Sequence, residues 1–147
     1  MIRLLEAVSN GSLAPAGGLE QLRSLTEPGA GIDLGHSLLD TDREDRCGHP
    51  EVVFGAGKSP AEMVDVMGAL RGAHGRVLAT RVDKGAARLL RETFGADLDL
   101  DDRARTAILG DAVPLAGSVA IVSAGTSDGR VAREAAVTAR FLGAKVE

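Results

Sequence analysis

Glu51-Val52-Val53-Phe54-Gly55-Ala56-Gly57-Lys58-Ser59-Pro60-Ala61-Glu62-Met63 decides the fold class. Val52, Val53 and Phe54 suit a pleated strand, and Gly55 closes it. A helix must then begin at Pro60: Ser59 is placed to cap it, Pro60 fits the first helical position, and Glu62 completes a capping box. Met63, Val66, Met67 and Leu70 recur at helical spacing and form the buried face. Val77-Leu78-Ala79-Thr80 is the next strand, followed by a helix through Ala87, Leu89 and Leu90. Leu98, Leu100 and Ala107-Ile108-Leu109 predict a closing hairpin. Upstream, Gly31 to Leu39 holds a further strand. A strand–helix–strand–helix order with a terminal hairpin is an α/β fold, and it occupies residues 31–113.

Shorter units flank it. Leu4, Leu5 and Val8 share one helical face that ends at Asn10-Gly11. Leu19, Leu22 and Leu25 mark a second stripe, broken by Pro28-Gly29. Residues 1–30 are therefore expected to form a helical hairpin. Asp111 to Gly117 reads as a linker. Beyond it, Ser118-Val119-Ala120-Ile121-Val122-Ser123 is nearly all apolar, as in a strand covered on both faces. A tight turn follows at Ala124 to Asp128. A helix then runs through Val131, Ala135, Val137 and Leu142 to Gly143. Residues 114–147 thus supply one strand–helix unit of a parallel sheet. Lys145-Val146-Glu147 is the lead-in to a further strand rather than a second strand of this one.

Composition narrows the function. Of 147 residues, 44% are hydrophobic and 26% charged, which suits a folded soluble domain. With 2% aromatics and no Trp or Tyr, stacking on bases is not the main business. A net charge of −4 argues against bulk duplex binding, which needs a basic face. The single cysteine, Cys47, cannot form an internal disulfide, so a reducing, cytoplasmic setting is expected. No secretory signal and no membrane-spanning run is visible.

Several motifs fail on inspection. Gly57-Lys58-Ser59 resembles the end of a P-loop, but that loop needs Gly five residues before its Gly-Lys-Ser, and position 52 is Val. Asp97-x-Asp99-x-Asp101 resembles the start of a calcium loop. The required Gly and bidentate Glu are replaced by Asp102 and Ile108, so the aspartates read as the wet face of a strand. His36, Cys47, His49 and His74 lack zinc spacing and read as surface or hydrogen-bonded side chains, so no metal site is expected. Asp40 to Arg46 is a charge run that reads as a solvated loop, although Arg43 and Arg46 have the spacing to grip an anion. The strongest site is Gly125-Thr126-Ser127-Asp128. It lies where a parallel strand hands over to a helix, with hydroxyls, a carboxylate and helix amides. Ser127 or Asp128 as a simple helix N-cap is the equal alternative.

The residues that match a known family are Asp40-Thr41-x-Arg43-x-x-Arg46-x-Gly48-x-Pro50-Glu51-Val52-Val53-Phe54-Gly55-x-Gly57-Lys58 and Leu78-Ala79-Thr80-Arg81. They resemble the N-terminal signature of LarB proteins. Val119 to Asp128, followed by Ala132-x-Glu134-Ala135-Ala136, resembles the first strand and helix of their PurE-like domain. The resemblance implies a carboxylase and hydrolase of nicotinic acid adenine dinucleotide. Such an enzyme carboxylates the pyridinium ring and cleaves the pyrophosphate, releasing AMP, on the route to the nickel-pincer cofactor of lactate racemase. The electron-poor ring must first accept a covalent nucleophile, a late cysteine in the family. The resemblance further implies carbon dioxide or bicarbonate as co-substrate, no tightly bound cofactor, Mg2+ as the candidate ion, and homo-oligomers of the intact protein.

Carried over residue by residue, Ser127 and Asp128 become nucleotide contacts, with Gly125 and Thr126 beside them. The PurE motif has Ser in the place of Gly125, so contact there would be through backbone. Arg43, Glu51, Lys58 and Arg81 are candidate anion or interdomain contacts. The sequence departs from the pattern by ending before any match to the catalytic-cysteine segment. The catalytic residues are therefore unknown, Cys47 is not promoted to that role, and the chain alone is expected to be inactive. Two alternatives stand: a PurE-related carboxylase or mutase of aminoimidazole ribonucleotide, and a non-catalytic nucleotide-binding or interaction module.

Overall fold

A computed structural model describes residues 2–19 and 31–147. Its centre is a four-stranded sheet in the order β3-β4-β6-β5. β3 (Val52–Phe54) and β4 (Arg76–Thr80) run parallel, joined by helix α3 (Pro60–His74). β4 pairs antiparallel with β6 (Thr106–Gly110), which pairs antiparallel with β5 (Leu98–Asp101). Helix α4 (Lys84–Phe94) links β4 to this hairpin. The fold is α/β, and both the β3–α3–β4 unit and the closing hairpin stand where the sequence places them.

Local chemistry explains the start and stop of α3. Ser59 Oγ accepts from the Glu62 amide at 3.3 Å, and Glu62 Oε2 accepts from the Ser59 amide at 2.6 Å. The expected capping box is therefore present. Gly75, with φ of 73°, ends the helix in the left-handed conformation that lacks a penalty only for Gly.

The register assigns each side chain to a sheet face. Val77 lies opposite Leu109, Ala79 opposite Ala107, and Leu98 and Leu100 continue the row across β5. This face packs on Met63, Met67 and Leu70 of α3 and on Leu90 of α4. Each such side chain fully removed from water contributes about 1.5–3 kcal/mol, so the core concentrates between residues 51 and 110. The second face carries Arg76, Leu78, Thr106, Ile108, Asp99 and Asp101. Helix α5 (Gly129–Phe141) meets it. Arg76 Nη1 donates to the Phe141 carbonyl at 2.6 Å, and its guanidinium lies 4.7 Å from the Phe141 ring centre. Asp101 is half-buried and bonded to Arg133, so the wet-face reading holds for the exposed Asp99 and fails for Asp101.

Three further expectations need correction. Gly31 to Leu39 is a tight reversal, with β1 (Ile32–Asp33) paired antiparallel to β2 (Leu38–Leu39). Asp33 Oδ1 accepts from the Gly35 amide at 2.7 Å and Gly35 takes φ of 79°, an Asx turn that a strand cannot cross. The charge run at 40–46 is largely helix α2 (Arg43–Cys47), stopped by Gly48 with φ of 75°. Finally, β7 (Ser118–Val119) has a parallel partner, β8 (Lys145–Val146). The apolar run is not covered on both faces: Val119 is exposed, and Val122 is 93% exposed. Hydropathy alone cannot tell a buried strand from one awaiting cover.

At the N-terminus, α1 (Ile2–Ser9) ends before Gly11, whose φ is 76°, and residues 15–19 are helical. Leu22, Leu25 and Pro28-Gly29 lie outside the described residues, so the second half of the expected hairpin does too. Residues 111–117 carry no helix or strand, and Ala116 donates to the Gly143 carbonyl at 2.6 Å. No described helix is long and apolar enough to cross a membrane.

Candidate functional site

The parallel strands β3 and β4 end side by side, with Phe54 opposite Thr80. Ligands of open α/β sheets bind outside such carboxyl ends. The chain after β3 turns tightly. The Gly55 amide donates to the Thr80 carbonyl at 2.8 Å, the Lys58 amide to the Gly55 carbonyl at 3.1 Å, and the Ser59 amide to Glu62. A Cβ at Gly55 would sit 2.8 Å from the Thr80 oxygen and 3.2 Å from Met63 Sδ. Gly55 is thus required for close strand packing, and three of the turn's amides are already committed. This is no phosphate cradle, in agreement with the missing leading Gly.

Lys58 and Glu51 border one shallow cleft of about 450 Å³, beside the exposed Leu38 and Phe54. Glu51 Oε2 accepts from the Asp40 amide at 2.9 Å, so it anchors the segment that leads into α2. Arg43, the first residue of α2, is half-buried and has no ion pair among the described residues. Arg46 pairs with Asp40.

After β4 the backbone enters an unusual conformation. Arg81 and Arg105 both have positive φ, 56° and 57°. For non-glycine residues this costs of order 1–3 kcal/mol each and persists only where the surroundings enforce it. Here the two residues enforce each other. Arg105 Nε donates to the Val82 carbonyl at 2.9 Å, its Nη2 to the Arg81 carbonyl at 3.1 Å, and the Val82 amide to the Arg105 carbonyl at 2.9 Å. The Arg81 side chain reaches α5, with Nε 3.2 Å from Glu134 Oε2.

Beside this lock opens a cleft of about 650 Å³ at the start of α4. Asp83 caps α4 through the Ala86 amide at 2.8 Å, and Asp102 pairs with Arg91 at 2.6 Å. Burial pushes the Asp101 carboxyl up. The Ala104 amide, Arg133 and the Arg103 amide more than offset this and hold it below the usual carboxylate value.

Gly125, Thr126, Ser127 and Asp128 sit together in an exposed loop that leads into α5, and Gly125 has φ of 96°. Asp128 occupies the N-cap position without a side-chain cap bond. Ser127 likewise makes no side-chain hydrogen bond to a described residue, so the simple capping role is not what these side chains perform. The loop lines neither of the two clefts above, and the fold brings Glu51 and Lys58 into one of them without it.

Arg105 escaped the sequence reading, and so did the true surroundings of His74. No motif marks Arg105, because its partners are carbonyls more than twenty residues away. His74 is not a surface or hydrogen-bonded histidine. Its side chain is 7% exposed, Nδ1 lies 3.7 Å from Glu44 Oε2, and Nε2 is buried with no hydrogen-bond partner. Cys47 is exposed. Among the described residues, no three His, Cys, Asp or Glu side chains gather as metal ligands.

Comparison with known proteins gives two findings. Residues 32–111 match the family model described as the LarB/PurE-like N-terminal domain. Over 112 residues the sequence is 34% identical to an uncharacterized protein of Methanocaldococcus jannaschii, covering 71% of this chain and 44% of that protein. The chain therefore spans less than half the length of the curated relative it matches.

Proposed function

The chain belongs to the family of the LarB/PurE-like N-terminal domain, and from that premise we propose that it serves the carboxylation and pyrophosphate cleavage of nicotinic acid adenine dinucleotide. Its part is the N-terminal domain together with the first strand–helix–strand unit of a PurE-like domain. The observation that carries this reading is the Gly125–Asp128 loop. It follows a parallel strand, precedes a helix of 13 residues, and keeps the Ser127 and Asp128 side chains unpaired and exposed. A nucleotide phosphate fits a helix N-terminus with such hydroxyls, and a ribose suits the Asp128 carboxylate.

The chemistry divides accordingly. Carboxylation of a pyridinium ring needs a nucleophile to add first, so that the ring becomes electron-rich enough to attack carbon dioxide. No segment of the chain matches the family's cysteine loop, and Cys47 lies on α2 in the N-terminal signature. In this reading the chain binds and orients the dinucleotide weakly and does not turn it over alone. Arg81 and Glu134 hold α5, and with it the nucleotide loop, against the N-terminal sheet.

The test uses nicotinic acid adenine dinucleotide with 13C-labelled bicarbonate. Products are followed by mass spectrometry, for this chain and for a longer relative that includes the cysteine segment. AMP and a carboxylated mononucleotide are expected from the longer protein only. In that protein, alanine at the positions matching Ser127 and Asp128 should each lower kcat/KM. Unchanged kinetics in both variants would remove the nucleotide assignment.

A further inference from the structure

We propose that the turn between β5 and β6 sets the position of α5, and through it the Gly125–Asp128 loop, with Asp101 and Arg105 as its positioning residues. The consequence for a nucleotide rests on the function proposed above; the coupling of turn to helix does not. The turn grips α5 from both of its ends. At one end is Asp101, the last residue of β5. Its Oδ1 accepts from the Arg103 and Ala104 amides, each at 3.0 Å, and so closes the turn on itself. Its Oδ2 accepts from Arg133 Nε of α5. One carboxylate therefore fixes the turn with one oxygen and the helix with the other. At the other end is Arg105, which reaches α5 indirectly. Its guanidinium holds the Arg81 and Val82 carbonyls, and the Arg81 side chain then places Nε 3.2 Å from Glu134 Oε2.

Charge order makes this a clasp with one register. Arg133 and Glu134 are neighbours on α5, and the sheet offers an acid to the first and a base to the second. A shift of α5 that exchanged the partners would set Arg81 against Arg133 and Asp101 against Glu134, like charge on like charge. The residue types point the same way. Arg81 and Arg105 sit at φ of 56° and 57°, where Gly or Asn meets the smallest penalty. A turn with no further duty would take either, so arginine at both positions is explained by what the two guanidiniums hold. Position along the helix completes the argument. Arg76 holds α5 at its far end, through the Phe141 carbonyl and ring. The clasp lies in the second turn of α5, about 8 Å along the axis from Asp128 at 1.5 Å per residue. It therefore fixes the end that carries the loop.

The experiment is amide hydrogen exchange of the 147-residue chain through a double-mutant cycle. Arg105→Gly removes the guanidinium and relieves the left-handed backbone. Glu134→Gln removes the charge that Arg81 meets. Arg105→Gly should raise exchange at residues 129–137 about three- to fivefold, the most that a partly exposed ion pair gives. With Glu134→Gln present, Arg105→Gly should add nothing there, while any effect on α3 persists. Asp101→Asn keeps the turn's acceptor and drops the charge on Arg133. It should raise exchange at residues 129–137 with β6 unchanged, and it decides the matter if Arg105→Gly folds poorly. Additive effects of Arg105→Gly and Glu134→Gln on α5, or α5 exchange unchanged by both Arg105→Gly and Asp101→Asn, would overturn the proposal. A chemical-shift titration with nicotinic acid adenine dinucleotide separates the two readings. Saturable shifts at residues 125–128, weakened by a similar factor in Arg105→Gly and Glu134→Gln, are expected. Undiminished affinity in both variants would refute the positioning role. Shifts that fail to saturate in the parent chain would remove the nucleotide assignment, and the exchange cycle would still decide whether the turn positions α5.

Discussion

Arg105 donates from Nη2 to the carbonyl of Arg81 at 3.1 Å while both residues hold left-handed backbone. Neither conformation is favourable alone. The bond joins the end of β4 to the start of β6 and aims the Arg81 side chain at Glu134. Removing the Arg105 guanidinium leaves two carbonyls, of Arg81 and Val82, without their donor. Arg105→Ala should therefore destabilise the chain by about 2 kcal/mol. Urea unfolding checks this, and a change below about 0.5 kcal/mol would show that the surface tolerates the loss.

Asp101 gives the chain an acid-sensitive contact. Its carboxyl is held below the usual Asp value in the folded chain, so its contribution is fully present above that usual value. The contribution is lost as pH falls through the lower, folded-state pKa. Asp101→Asn should flatten the stability profile on that acid limb and leave the slope near neutrality unchanged. Thermal melts from neutral pH down through the carboxylate range make the comparison.

Lys58 should not serve a nucleoside triphosphate. The Gly55, Lys58 and Ser59 amides all donate within the fold, to Thr80, Gly55 and Glu62. Calorimetry with magnesium and ATP is expected to show no heat that depends on Lys58. Binding abolished by Lys58→Ala would contradict the geometry.

Cys47 is exposed at the end of α2, beside Arg46, whose guanidinium is engaged by Asp40. Intact mass after incubation with the oxidised dinucleotide should show no adduct that requires it. A species present in the parent chain and absent from Cys47→Ser would reverse this.

Much of the fold is legible because its signals are local. Ser59, Pro60 and Glu62 state the start of α3 within four residues, and Leu98, Leu100, Ala107 and Leu109 state the hairpin by alternation. What escaped depends on distant partners. The Asx turn at Asp33-Leu34-Gly35 was hidden between Ile32 and Leu38-Leu39, and composition cannot say that Val122 lacks a neighbour. The site divides the same way. The Gly125–Asp128 loop is legible as a turn that leads into α5. The Arg81–Arg105 lock exists only once β4 and β6 are joined.

The segment from Ser118 to Glu147 should exchange its amide hydrogens faster than residues 51–93. Its two strands share a pairing of two residues, against four for β4 with β6. Val119, Val122, Val131 and Leu142 remain exposed and Phe141 is the one buried apolar side chain of the unit among the described residues, so it gains less from burial than the sheet core. What holds it is a short row of polar contacts: Arg76 with the Phe141 carbonyl and ring, Arg81 with Glu134, and Arg133 with Asp101. Partly exposed ion pairs contribute about 0–1 kcal/mol each, while the Arg76 contact adds a charge-assisted bond and ring stacking. Local opening should therefore cost less than global unfolding. Arg76→Ala should raise exchange across residues 129–141 and leave α3 unchanged, and Glu134→Ala should do the same more weakly. Equal protection of residues 118–143 and 51–93 in a monomer would mean that contacts beyond this row hold the unit. An Arg76→Ala effect that spread to α3 would mean that the two parts unfold as one.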